Sequence, residues 1–218
     1  MPRIAVEDNR YVLVNIFHTT PANQQRLIDL WQGRGPASGI APGLVSLNAH
    51  VGLDGTSVVA YNQWRAKADW AAILSDPRRQ DRFDEVLAFS TFESIHCEVV
   101  AAERNEALSG PATEIRQDGR HVVLEVARVA PDRQQELLEL VTKPNEALAA
   151  TPGYVSHSIH RAFDGTAVVN YSQWESQAAY QAFQADQVER GTQPDAGAVG
   201  AVERFELRVV YVSEAAGQ

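Results

Sequence analysis

Apolar and polar positions along this chain fall into blocks whose period switches between strand and helix, and the whole series runs through twice. Tyr11–His18 ("YVLVNIFH") is a mostly apolar, β-branched run of strand length. A helix is predicted to begin near Pro21, a good first-turn residue, with Leu27, Leu30 and Trp31 on one face. Pro42-Gly43 punctuates a second strand, and Asp54-Gly55 between two apolar runs is a strong hairpin signal. A second helical region and a closing strand, "FESIHCEVV" from Phe92, complete the block.

Displaced by 110 positions, Val12–Leu74 aligns with Val122–Gln184 without a gap. Pro21 meets Pro131, "PGLVS" meets "PGYVS", His50 meets His160, and "DGTSVVAYNQWRAKADW" (Asp54–Trp70) meets "DGTAVVNYSQWESQAAY" (Asp164–Tyr180). The closing strands, compared through Phe92-Glu93 and Phe205-Glu206, align only after a three-residue shift. The helix after Pro131 carries Leu137, Val141 and Leu148, and Pro144 should kink or end it. Each copy therefore reads β-α-β-β-α-β, a ferredoxin-like unit of the α+β class. The units are expected at 1–101 and 121–218, joined by a polar linker at 102–120. Each sheet keeps one face free of helices, so the units should pack sheet to sheet as one barrel, an intrachain mimic of a homodimer.

Composition narrows the function classes. A formal net charge of -9 argues against nucleic acid as a partner, since binding polyanions needs clustered Lys and Arg. With no secretory pattern at the N-terminus and no apolar run of about 20 residues, a cytoplasmic protein without membrane attachment is expected. Cys97 is the single cysteine and reads as a small core residue; six scattered histidines show no metal-ligand spacing, so no metal site is expected.

The stretch "DGTAVVNYSQWESQAAY" resembles the signature of the antibiotic biosynthesis monooxygenase family, especially its cofactor-free anthrone oxygenases. The order of elements agrees over nearly the whole chain, the close motif match only over about His160–Tyr180. The resemblance implies an α+β barrel with a pocket between sheet and helices in each half. It implies a monooxygenase of antibiotic biosynthesis that oxidises an aromatic polyketide, an anthrone-like phenol, to a quinone, with O2 as co-substrate and no cofactor. By position it points to Asn170, Trp174, Tyr180 and His160 as catalytic residues. The equivalent Ala60, Trp64, Trp70 and His50 show that the first copy lacks the amide and the phenol. Asn15 falls where related oxygenases carry an Asn beside this Trp, with Glu125 in its place in the second copy; Arg82 matches a family arginine loosely. The resemblance leaves other readings open: a carrier or cyclase-like binder of a hydrophobic polycycle, a reduced-flavin-assisted oxygenase, or haem degradation. The last would need an axial His that 71–89 lacks.

Strand periodicity puts Val168, Asn170, Ser172 and Trp174 on one face, Asn170 and Trp174 about 13 Å apart. Asn62 shares the face of Ala60 about 7 Å further along and could contact a shifted substrate. An amide, an indole N–H and a phenol are suitable donors to an oxygen where charge accumulates, and His160, placed by period two on the face of Tyr154, Ser156 and Ser158, could take a proton. The substrate-binding candidates are Trp64, Trp70, Asn15, His50, Asn62 and Arg82. Several have a structural rival: packing for the aromatics, exposed strand ends for His50 and His160, a solvated helix face for Arg82. The expected division of labour gives the second half the amide-bearing catalytic pocket. Whether fused chains pair again as homodimers stays open.

Overall fold

The computed structural model describes residues 1–31, 41–75, 84–105, 107–108, 113–143, 146–190 and 200–215. Ten strands run β1 (Arg3–Ile4), β2 (Tyr11–His18), β3 (Leu44–Gly52), β4 (Ser57–Trp64), β5 (Thr91–Arg104), β6 (Thr113–Glu114), β7 (His121–Arg128), β8 (Tyr154–Ala162), β9 (Ala167–Trp174) and β10 (Ala201–Glu214). Helices α1 (Pro21–Asp29) and α2 (Lys67–Leu74) belong to the first half. Helices α3 (Gln134–Val141), α4 (Glu146–Ala149) and α5 (Gln177–Arg190) belong to the second. The expected stop near Pro144 appears as the break between α3 and α4, although Pro144 itself lies outside the described residues.

Eight strands close into one antiparallel barrel, in the order β10-β3-β4-β2-β5-β8-β9-β7. The two 14-residue strands make the closure. β5 pairs with β2 through Thr91–Cys97 and then with β8 through Cys97–Arg104; β10 pairs with β7 and then with β3. Each half thus lends its last strand to the other. The expected sheet-to-sheet packing is realised as a shared barrel, with β5 running three residues into the stretch read as linker. Further along that stretch, β6 pairs with β1, and the fully buried Ile4 and Ile115 join the barrel core. The amides of Gln63 and Gln173 hold this ribbon, donating to the carbonyls of Arg3 and Glu114 at 2.8 Å each.

Ladder register corrects the closing-strand alignment. Val12 pairs with Cys97 and Val122 with Leu207, so the two strands correspond at an offset of 110 with no shift. The matching Phe-Glu pairs had suggested otherwise; hydrogen-bond register, not local similarity, decides which side chains share a face. On this register Asn15 lies opposite Ala60 and Ser94, whereas Glu125 lies opposite Asn170 and Arg204.

The Pro-Gly turns need left-handed backbone, with Gly43 at φ +88 and Gly153 at φ +76. A Cβ on Gly153 would also fall 2.5 Å from the Cβ of Ala179 in α5. Gly153→Ala should therefore lower unfolding free energy by roughly 1–3 kcal/mol in a urea titration. An unchanged midpoint would show that the turn relaxes freely.

Candidate active site

Along every barrel strand one face points into the barrel and the other toward the helices. Val12, Val14, Ile16, Tyr61, Cys97, Val169 and Tyr171 fill the interior, and Leu13, Leu47, Trp64 and Ile73 gather on the helix side of the first half. Between that sheet and its helices lies a cavity of about 460 Å³, well within the size of small-molecule sites. Its wall takes Asn15 from β2, Asn62 and Trp64 from β4, Trp31 after α1, Trp70 from α2, and Ser94 and His96 from β5. Ala60, opposite Asn15 on the neighbouring strand, is buried on the helix side with Phe17, Leu27 and Val86.

The wall is mainly apolar, yet three of its polar atoms have no hydrogen-bond partner among the described residues: the indole nitrogens of Trp31 and Trp64 and Oδ1 of Asn62, all buried. A buried polar atom without a partner is destabilising, so it calls for a reason. Asn15 is engaged, its Oδ1 accepting from the hydroxyl of Ser94. Nδ1 of His96 lies 2.5 Å from the hydroxyl of Tyr11. The Trp70 ring meets His96 edge to face at 4.5 Å, and Phe163 from the β8–β9 hairpin stacks on Tyr11 at 5.4 Å. Burial, assisted by the Lys67 ammonium, holds the His96 pKa below its ordinary value, while burial raises that of Tyr11.

The same positions in the second half carry a charged network. Asn170 Nδ2 donates to Glu125 at 3.1 Å, and Glu125 pairs with Arg204 at 2.8 Å. Asn170 Oδ1 is buried without a partner among the described residues. Trp174 is packed among Tyr154, Tyr180 and Phe183, with ring centroids 4.8 to 5.6 Å away, and its indole N–H reaches the Ser172 hydroxyl at 3.4 Å. The Tyr180 hydroxyl accepts from Gln184 at 3.1 Å. Asn170 and Trp174 thus share the helix-facing side of β9, as periodicity predicts, and Tyr180 on α5 packs against Trp174 there.

His50 and His160 occupy the centre of the barrel. His160 Nδ1 meets the Val169 carbonyl at 3.2 Å and Nε2 meets the Tyr61 hydroxyl at 2.8 Å; His50 does the same with Val59 and Tyr171, at 3.2 and 2.9 Å. Both are fully buried, not exposed strand ends. The face expected for His160 also needs correction. A β-bulge between Tyr154 and Ser156 turns Tyr154 toward the helices, beside Trp174, while Ser156, Ser158 and His160 stay inside.

Of the sequence candidates, Trp64, Trp70, Asn15 and Asn62 converge on the cavity. Asn170, Trp174 and Tyr180 form the second-half cluster, and His50 and His160 lie in the interior. Arg82 lies outside the described residues. Sequence reasoning missed His96, although alternation in "FESIHCEVV" already separates Phe92, Ser94 and His96 from Ile95 and Cys97. Among the described residues, no three His, Cys, Asp or Glu side chains come together as metal ligands, and no helix is long and apolar enough to cross a membrane.

Residues 120–188 match the family described as antibiotic biosynthesis monooxygenase. The chain is 39% identical over 100 residues to tetracenomycin-F1 monooxygenase of Streptomyces glaucescens, an alignment covering 45% of this chain and 89% of that enzyme. A solved anthrone oxidase-like protein superposes with TM-score 0.87 at 25% identity, covering 99% of this chain and 98% of its own. A candidate monooxygenase from Fusobacterium nucleatum subsp. nucleatum shares the fold at TM-score 0.66, with 13% identity and 96% of each chain covered. The doubled unit, the closed barrel and the identity to a curated monooxygenase agree, and the chain belongs to the antibiotic biosynthesis monooxygenase family.

Proposed function

We propose that this chain oxidises an anthrone-like aromatic polyketide phenol to a quinone with O2, without a cofactor, in the first-half cavity. The observation that carries the reading is the apolar chamber of about 460 Å³ whose wall holds two indole N–H groups and an amide oxygen that lack partners among the described residues. A flat phenol would fill the chamber, and its oxygens would meet those groups. The tetracenomycin and anthrone relatives support this substrate class.

The chemistry balances without another reductant. The anthrone methylene loses a proton, and its delocalised anion passes an electron to O2. The two radicals combine as a peroxide, which takes up a proton. Loss of the remaining C–H proton and of water leaves the carbonyl, so one CH2 and one O2 become C=O and H2O. The protein's part is to dehydrate the anion and present donors to the oxygen that carries its charge.

A second reading places the reaction in the second half, favoured by the family match over 120–188 and by the orphaned Oδ1 of Asn170. The test of the function itself mixes metal-stripped, colourless protein with 1,8-dihydroxyanthrone under air and under argon. Quinone absorbance should grow only under air. Turnover that requires added haem or reduced flavin would transfer the reading to those relatives, and tight binding without turnover would make the protein a carrier.

A further inference from the structure

We infer that His96, held by Tyr11, is the catalytic base that takes the proton from the phenolic substrate in the first-half cavity. The inference rests on the proposed oxygenation and adds to it the group that starts the reaction. His96 is the imidazole in the cavity wall, whereas His50 and His160 are enclosed in the barrel with both ring nitrogens engaged. Only Nδ1 of His96 has a hydrogen-bond partner among the described residues, the Tyr11 hydroxyl at 2.5 Å. With Nδ1 protonated and donating to Tyr11, Nε2 keeps its lone pair for the substrate proton. Proton transfer leaves an imidazolium beside the anthrone anion, and the same proton then returns to the peroxide. The stack of Phe163 on Tyr11 fixes the dyad from the second half, so one half supplies the base and the other braces it.

The groups that tune His96 come from three elements besides its own strand. Tyr11 lies on β2, Lys67 on α2 lowers the pKa after burial, and Asp164 on the β8–β9 hairpin raises it. The net displacement is downward, so His96 is neutral at pH 7 and the acid limb of the rate should fall below 6.5.

Two measurements on His96→Gln separate this claim from the function it rests on. Under argon, 1,8-dihydroxyanthrone bound to the wild-type protein should show its anion absorbance near pH 7. H96Q should need a pH higher by at least about 1 unit for the same absorbance, with binding within about threefold of wild type. Under air, H96Q should lose about 10²-fold in kcat together with the acid limb of the profile. Unchanged ionisation and an unchanged limb would overturn the assignment while leaving the oxygenation intact. His96-dependent ionisation with no air-dependent turnover would uphold the base and sink the oxygenation. If H96Q does not fold, Tyr11→Phe reads the same dyad: the limb should move, and a limb that stays in place rejects the proposal.

Discussion

Trp64→Phe should lower kcat by roughly 10²- to 10³-fold, while Trp174→Phe should change it less than about threefold. The two tryptophans are repeat equivalents in sequence, and their surroundings separate them. Trp64 lines the cavity with a buried, unpartnered indole N–H. Trp174 is wedged among three aromatic rings, and its N–H is already directed at Ser172. If the Trp64 N–H stabilises the substrate oxyanion, its loss should lower kcat and kcat/KM together, because that contact strengthens only as charge develops. Stability should move the other way. Trp64→Phe removes a buried donor that has no acceptor, which offsets part of the lost ring area, so its urea midpoint should fall less than that of Trp174→Phe. Equal activity losses would refute the assignment to the first half. A loss confined to Trp174→Phe would move the reaction to the cluster around Asn170.

The architecture was legible because a gap-free repeat constrains every element twice. Alternation along "VVNYSQW" correctly set Asn170 and Trp174 on one face, since a strand's side chains must alternate. What escaped depends on contacts between strands distant in sequence. A bulge is one extra residue in one strand, and nothing in "PGYVSHSIH" marks the place where Tyr154 departs from the phase of His160. The contrast of Asn170 with Ala60 was visible from the start. That these residues face Glu125 and Asn15 across the ladder was not, and this pairing explains the contrast. Asn15, opposite Ala60, lines the cavity, whereas Glu125, opposite Asn170, is held in an ion pair with Arg204. The repeat-equivalent pairs Asn15–Ala60 and Glu125–Asn170 thus give the two halves unlike surroundings. His96 was overlooked because it adjoins Cys97, a core residue, although neighbours on a strand face opposite ways.

Acid should destabilise this fold steeply between pH 6.5 and 4, through the two histidines at its centre. Each has a Nδ1 facing a backbone carbonyl, which can only accept, so Nδ1 carries the hydrogen and Nε2 accepts from a tyrosine hydroxyl of the other half. The cross-linked set His50–Tyr171 and His160–Tyr61, with the two phenol rings 5.6 Å apart, joins the halves inside the barrel. Desolvation dominates both imidazoles, and backbone hydrogen bonds only partly oppose it, so their pKa values drop from 6.5 to about 4. Above 6.5 these histidines are neutral whether the chain is folded or not, and they impose no penalty. As pH falls below 6.5 the unfolded chain binds protons that the barrel excludes, and stability is lost until the folded groups protonate near 4. Each histidine contributes about 3 kcal/mol to that loss, and His96, His121 and His157, also lowered by burial, add in the same direction. Urea unfolding at pH 7, 5.5 and 4.5 should therefore show a falling free energy. In a His50→Gln/His160→Gln variant the slope near pH 5 should be shallower by about 2.7 kcal/mol per pH unit, the effect of two protons no longer taken up on unfolding. The variant is expected to be less stable at pH 7, so the slope and not the midpoint is the diagnostic. Parallel slopes for the two proteins would mean that the central imidazoles already exchange protons in the folded barrel, and that its interior is wetter than its packing indicates.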